Sequence, residues 1–263
     1  MAMRHSRLAA SIALTITLLL AAARAAQAVD AFEIQVYDGS ADTPGAAGLE
    51  AHVNGVVDGL RTAPSPELAP HHLVHLTFEP SYGVVAFWEV GAYLQTALRP
   101  DSSYDFAGVK LRSKLVTPRD WRPSWRLGAN VEVSYLPARY EAERWGAELR
   151  PIAAWSDARW LLAVNPILDF SLTHAGAPAL EPAAMAVVKI RGVVSAGVEY
   201  YAGLGALDAP SAARDQLHVI YEVINVHATR DLDINFGVGE GLTSASNPLT
   251  VKAIIGYGFD WTK

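Results

Sequence analysis

The 263-residue chain contains no cysteine. It can therefore form no disulfide and no thiolate metal site, and it offers no lipoprotein-type cysteine for lipidation. Positive charge is also sparse. Of the 21 Lys and Arg residues, three fall in the first 28, which leaves 18 against 27 acids, a formal charge of −9. That balance argues against a nucleic-acid partner. Beyond residue 28 there is no apolar run of about 18 residues, so no transmembrane helix is available. Yet 51% of the chain is hydrophobic. The apolar residues must be spread out by some rule.

The N-terminus has the grammar of a secretory signal. Arg4, His5 and Arg7 precede an apolar run from Leu8 to Ala23, and Ala26-Gln27-Ala28 supplies an A-x-A cleavage pattern. Cleavage is expected before Val29, so residues 1–28 are set apart from the fold. Residues 29–45 read as a periplasmic or plug-like lead-in. Within it, Phe32-Glu33-Ile34-Gln35-Val36-Tyr37 alternates like a strand.

From residue 46 to 263 the distribution rule is a period of two. Val251, Ala253, Ile255, Tyr257 and Phe259 alternate with Lys252, Gly256, Gly258 and Asp260, Ile254 being the exception. Trp88, Val90, Ala92 and Leu94 alternate with Glu89, Gly91, Tyr93 and Gln95. Leu217, Val219, Tyr221 and Val223 oppose His218 and Glu222, with Ile220 and Ile224 out of place. Such alternation marks strands with one greasy and one polar or small face. About twelve such stretches follow one another. Alternate connections are short (80–83, 156–157, 191–192, 228–231), and most of the others are longer.

A soluble sandwich also alternates, but here the polar face is rich in Gly and in charges of both signs, and aromatics collect at strand ends. In lipid a β-sheet must close on itself to pair every backbone group. The pattern predicts an all-β, antiparallel, up-and-down transmembrane β-barrel of about 12 strands, in the outer membrane of a Gram-negative bacterium. Lipid and the barrel-assembly machinery are the expected partners. Pro151 and Pro166 fall inside predicted strands, where proline removes a ladder donor, so a bulge or break is expected there.

Two segments carry a family resemblance. Phe78-Glu79-Pro80-Ser81-Tyr82-Gly83-Val84, followed by Glu89-Val90-Gly91, resembles a turn of proteobacterial outer-membrane barrels of the phenol-degradation meta-pathway and related transporter-like type. Asn235-Phe236-Gly237-Val238-Gly239-Glu240-Gly241-Leu242 is similar to a recurring segment of the same barrels. Val85-Ala86-Phe87 departs from them, standing where a Thr-Asp/Glu pair is common. The resemblance spans most of residues 31–263 and implies uptake of aromatic compounds.

The candidate lumen-lining residues are Glu89, Lys110, Arg112, Lys114, Arg126, Glu132, Glu148, Arg150, Glu199 and Lys252. A basic strip facing acids would select small polar solutes. More simply, these side chains pair and fill a narrow lumen, since twelve strands enclose little space. His71, His72 and His75 form HHxxH, which on a strand puts only His71 and His75 on one face. Asp169, Ser171 and His174 lie close in sequence without a nucleophile-elbow signature. The Gly-rich tail lacks the strand-then-helix context of a nucleotide loop, so inward Gly there is expected to permit curvature or close approach of the lead-in. No catalytic residue, metal or cofactor is assigned. The expected function is passive passage of a small solute, with a structural or partner-binding barrel of occluded lumen as the alternative and a membrane-embedded hydrolase as a weaker one.

Overall fold

The protein is described here by a computed structural model covering residues 30–118, 120–122 and 124–260. The expected signal segment and Trp261 lie outside the described residues. Among the described residues, sixteen strands form a single antiparallel sheet. They are β1 (Ala47–Asp58), β2 (Val74–Val85), β3 (Trp88–Leu98), β4 (Tyr104–Val116), β5 (Trp125–Tyr135), β6 (Trp145–Ser156), β7 (Trp160–Asn165) and β8 (Leu168–Ser171). There follow β9 (Ala179–Leu180), β10 (Ala183–Arg191), β11 (Val194–Gly203), β12 (Gly205–Ala206), β13 (Ala209–Pro210), β14 (Leu217–His227), β15 (Leu232–Gly241) and β16 (Leu249–Phe259).

Three pairs of these, β7/β8, β9/β10 and β11/β12, are halves of interrupted strands, and β13 folds back on β12. The wall therefore has twelve strands, and β1 pairs with both β2 and β16, which closes it. Closure leaves no open edge for backbone groups to face lipid. The outward face is apolar, with exposed Leu49, Val53, Phe78, Leu94, Leu111, Val131 and Ile255. Aromatic residues ring the two ends, including Phe87, Trp88, Trp125, Trp160 and Phe259 at the end with short turns and Tyr104 and Trp145 at the other.

Register explains the interrupted strands. Ala153 stands opposite Val164 and Leu149 opposite Leu168, so Pro151 faces Pro166. Asn165 stands opposite Ala183 and Leu168 opposite Leu180, so Pro166 also faces Pro182. Three prolines thus sit side by side at one level of three adjacent strands, none with an N–H to give. The ladder breaks there without slipping register.

Strand β14 corrects the sequence reading. Its buried residues are Val219, Tyr221 and Val223, while Glu222 and Ile224 are exposed. The face taken as lipid-facing points into the barrel. Ile220 and Ile224, which looked misplaced on a polar face, lie on the outward one.

Residues 30–46 run through the interior. The alternating Phe32–Tyr37 stretch is not a strand, although Phe32, Glu33, Ile34, Val36 and Tyr37 are all buried. The wall ladder is already complete, so side chains satisfy this backbone. Asn54 Nδ2 donates to the Ala31 carbonyl at 2.9 Å and Lys252 Nζ to the Ile34 carbonyl at 2.9 Å. Asn165 clamps Tyr37 from both sides, accepting from its N–H at 2.7 Å and donating to its carbonyl at 3.0 Å. At Gly83 a Cβ would lie 2.3 Å from the Thr43 carbonyl oxygen, so only glycine lets this segment leave along the wall.

Candidate functional site

The lumen has two unlike halves. Strands β1 to β6 contribute charged and polar residues. Arg112 is held by Glu79 at 2.6 Å and by Glu89 at 2.6 Å, and Lys114 meets Glu89 at 2.8 Å. Lys110 pairs with Asp30 and, at 3.2 Å, with Glu132. Arg150 joins Glu148 at 2.7 Å to Glu33 at 3.4 Å. Asn130 and Tyr93 both donate to Glu132, at 2.7 and 3.2 Å. Two of the acids in this network, Asp30 and Glu33, belong to the segment threading the lumen. Tyr37 of that segment donates to Glu33 at 2.8 Å, and the Arg150 guanidinium lies 4.5 Å above its ring centroid.

The other half is apolar. Ala163, Ile167, Ala183, Val187, Tyr201, Val219, Tyr221 and Val223 bury against Ile34 and Val36. The alternation of residues 33–37 now has a meaning. Ile34 and Val36 pack on the apolar half, while the side chains of Glu33 and Tyr37 join the polar network.

Of the residues singled out from sequence, Glu89, Lys110, Arg112, Lys114, Glu132, Arg150, Glu199 and Lys252 are buried in the interior. Glu148 is partly buried beside Arg150. Arg126 lies nearer the short-turn end, half-exposed, and binds Asp38 at 3.0 Å. Glu199 and Lys252 stand apart from the others as a 2.5 Å pair between the Tyr201 and Tyr221 rings. Sequence reasoning missed that Asp30, Glu33 and Tyr37 complete the network. Glu50, His52 and Glu79, neighbours across β1 and β2, were also not among its lumen candidates.

The remaining candidates come apart. His71 and His72 lie with ring centroids 3.8 Å apart in a loop, whereas His75 is buried on β2 against Phe32 at 4.6 Å. Ser171 Oγ and His174 Nδ1 do not contact each other in a nucleophile–base hydrogen bond; both meet Glu143 Oε2, at 2.7 and 2.9 Å. The inward glycines of the tail accommodate wall side chains rather than the lead-in: a Cβ at Gly239 would strike the Tyr221 ring at 2.4 Å.

The loop end of the barrel holds a cavity of about 250 Å³. Its floor is Asp30, Phe32 and Lys110; its sides carry Leu68, Leu136, Tyr140 and Leu217 together with Glu141, Glu148, Asp169 and Glu181. Burial, with Asp169 nearby, pushes the Glu141 carboxyl up to about 8. The cavity ends at the threaded segment. Beyond it, near the short-turn end, a polar cavity of about 60 Å³ is lined by Gln35, Glu50, Glu79, Arg112 and Lys114.

Three solved barrels share this architecture. An outer membrane channel from Pseudomonas putida F1 superposes with a TM-score of 0.59 at 13% identity, covering 86% of this chain and all of its own. The KdgM porin gives 0.54 at 7% identity over 81% of this chain and 99% of its own. The NanC porin gives 0.53 at 9% identity over the same shares. At these identities the likeness is one of fold. No sequence-family profile matches the chain, and no curated protein matches it in sequence.

Proposed function

We propose that this chain is an outer-membrane channel of a Gram-negative bacterium that passes small, largely apolar solutes, aromatic compounds among them. Delivery by a signal peptide and insertion by the barrel-assembly machinery belong to the same reading. The observation that carries it is the row Pro151, Pro166 and Pro182 in the wall. The straight route through the lumen is filled by residues 30–46. The cavity above that segment is lined by Glu148, Asp169 and Glu181, which lie one to three residues along the chain from the proline row. Backbone donors are missing at the level where an apolar solute leaving this cavity meets the bilayer, so parting the strands there breaks fewer hydrogen bonds than elsewhere. The channel-like fold neighbours support passage in general, and the sequence resemblance supports the solute class.

The test uses proteoliposomes. Joining the strands by a Pro151→Cys/Pro166→Cys disulfide should abolish uptake of an apolar aromatic probe and leave ion conductance unchanged. Uptake that survives the cross-link removes the lateral route. A barrel with a permanently filled lumen is the second reading, favoured by the density of ion pairs around residues 30–37. It predicts no conductance and no uptake, with or without reduction of the cross-link.

A further inference from the structure

Glu50 and Glu79 face each other across β1 and β2, and His52 lies two residues along on the same inward face. His52 Nε2 is 3.2 Å from Glu79 Oε2 and 3.4 Å from Glu50 Oε2. The three ligand atoms lie within 4.8 Å of one another. Around a four-coordinate divalent ion with bonds of about 2.1 Å, neighbouring ligand atoms sit about 3.4 Å apart. The spacing at this cluster is therefore that of a ligand set already drawn together.

A hydrogen-bonding account leaves the cluster short. One imidazole nitrogen carries at most one proton, yet two carboxylate oxygens converge on it. The other nitrogen, Nδ1, has no partner among the described residues, in a residue only 1% exposed. The neighbouring cations are engaged elsewhere. Arg112 binds Glu79 through the other carboxylate oxygen, Oε1, and both Arg112 and Lys114 are drawn to Glu89. Oε2 of Glu79 and Oε2 of Glu50 are left facing His52. The polar cavity of about 60 Å³ beside Glu50 and Glu79 has room for water to complete a coordination shell.

We propose that Glu50, His52 and Glu79 form a binding site for a divalent transition-metal ion such as zinc. One imidazole and two carboxylates, with a fourth position open to water, suit zinc and its neighbours better than calcium or magnesium, which prefer all-oxygen shells. Glu50 also accepts from the Gln35 amide at 3.1 Å. An ion here would join two wall strands to the segment that threads the lumen. The proposal does not depend on what the barrel transports.

The test is a calorimetric titration of Zn²⁺ into the full chain in detergent, stripped with chelator and without an added histidine tag. One ion per barrel is expected, with affinity reduced more than about tenfold in His52→Ala and in Glu50→Gln. His71→Ala/His72→Ala, which removes the adjacent loop histidines, should bind as the parent does. No stoichiometric binding overturns the site, as does binding that survives His52→Ala and is lost with the loop pair. Should the lumen variants fail the heat-modifiable gel shift of a folded barrel, X-ray absorption of the parent protein with zinc decides. A nitrogen/oxygen shell with one imidazole supports the site, and two or more imidazoles overturn it.

Discussion

The two halves of the lumen solve one packing problem with opposite chemistry. Strands β1 to β6 fill it with ion pairs, while the strands from β7 to β14 fill it mainly with aliphatic and tyrosine side chains around the buried Glu199–Lys252 pair. The difference shows how an irregular segment can be held where no strand edge is available to it. Residues 33–37 alternate in polarity, and each parity finds its own wall, while Phe32 packs on His75 and Tyr140 at the loop end. The apolar half supplies burial without directional demands. The polar half fixes register, because each charge has named partners and a shifted segment would strand Glu33 in a buried site.

The largest effect expected from this contrast is at Arg150. Arg150→Met removes the cation shared by Glu148 and Glu33 and leaves two acids without it in the interior. A loss of about 3–5 kcal/mol is expected, the usual cost of breaking one side of a buried pair. Urea unfolding in liposomes, followed by the tryptophans at the strand ends, measures it. Ile34→Ala, on the apolar half, should cost about 2 kcal/mol, a large-to-small change in a packed cluster. It should also speed hydrogen exchange of residues 30–46 and raise ion conductance. Equal costs for the two variants would erase the distinction between the halves.

The contrast was only partly legible in the sequence. Parity located the wall strands and put Lys110, Arg112 and Lys114 inside, because a lysine or arginine on the lipid face is strongly destabilising. It failed at β14, where Val219, Ile220, Tyr221, Val223 and Ile224 make both faces apolar. The signal was there in Ile220 and Ile224, but polarity alone could not say which face the barrel would choose. The choice follows from β11, whose inward Glu199 and Tyr201 stand opposite Tyr221 and Val219. Pairing in the lumen was hidden for a different reason. Lys110 to Asp30 and Arg150 to Glu33 cross 80 and 117 residues, and depend on a segment whose path no periodicity reports. The Glu50–His52–Glu79 cluster likewise needs the β1/β2 register before its members are neighbours.

Turning β14 over has a consequence on its outer side. Glu222 is exposed in the middle of that strand, between the outward-facing Val198 and Val238. A carboxylate in the lipid belt is unfavourable, though less so than a lysine or arginine. Glu222→Val should therefore stabilise the barrel in bilayers by about 1–2 kcal/mol, read as a higher urea midpoint in liposomes. A lower midpoint would mean that the carboxylate has a favourable role on this face and that the apolar half is not simply an inverted strand.

The smallest effect is confined to the loop that covers the polar half. Glu141 lies in the 136–144 connection, outside the wall, and burial raises its carboxyl from 4.5 to about 8. A folded-state value above the unfolded one means that the folded loop binds the proton more tightly. The associated stability is fully present below about pH 4.5 and is lost as the pH rises through about 8. Opening of this loop should become easier between pH 5 and 8 and then level off. Hydrogen exchange of residues 136–144, corrected for the intrinsic pH dependence of exchange, measures it. Glu141→Gln, neutral throughout, should flatten the profile while leaving the exchange of β14 on the apolar half unchanged. A slope that persists in Glu141→Gln would pass the titration to the other acids of the loop-end cavity, Asp169 and Glu181 among them, and make the whole cavity rather than one loop the pH-sensitive part of the polar half.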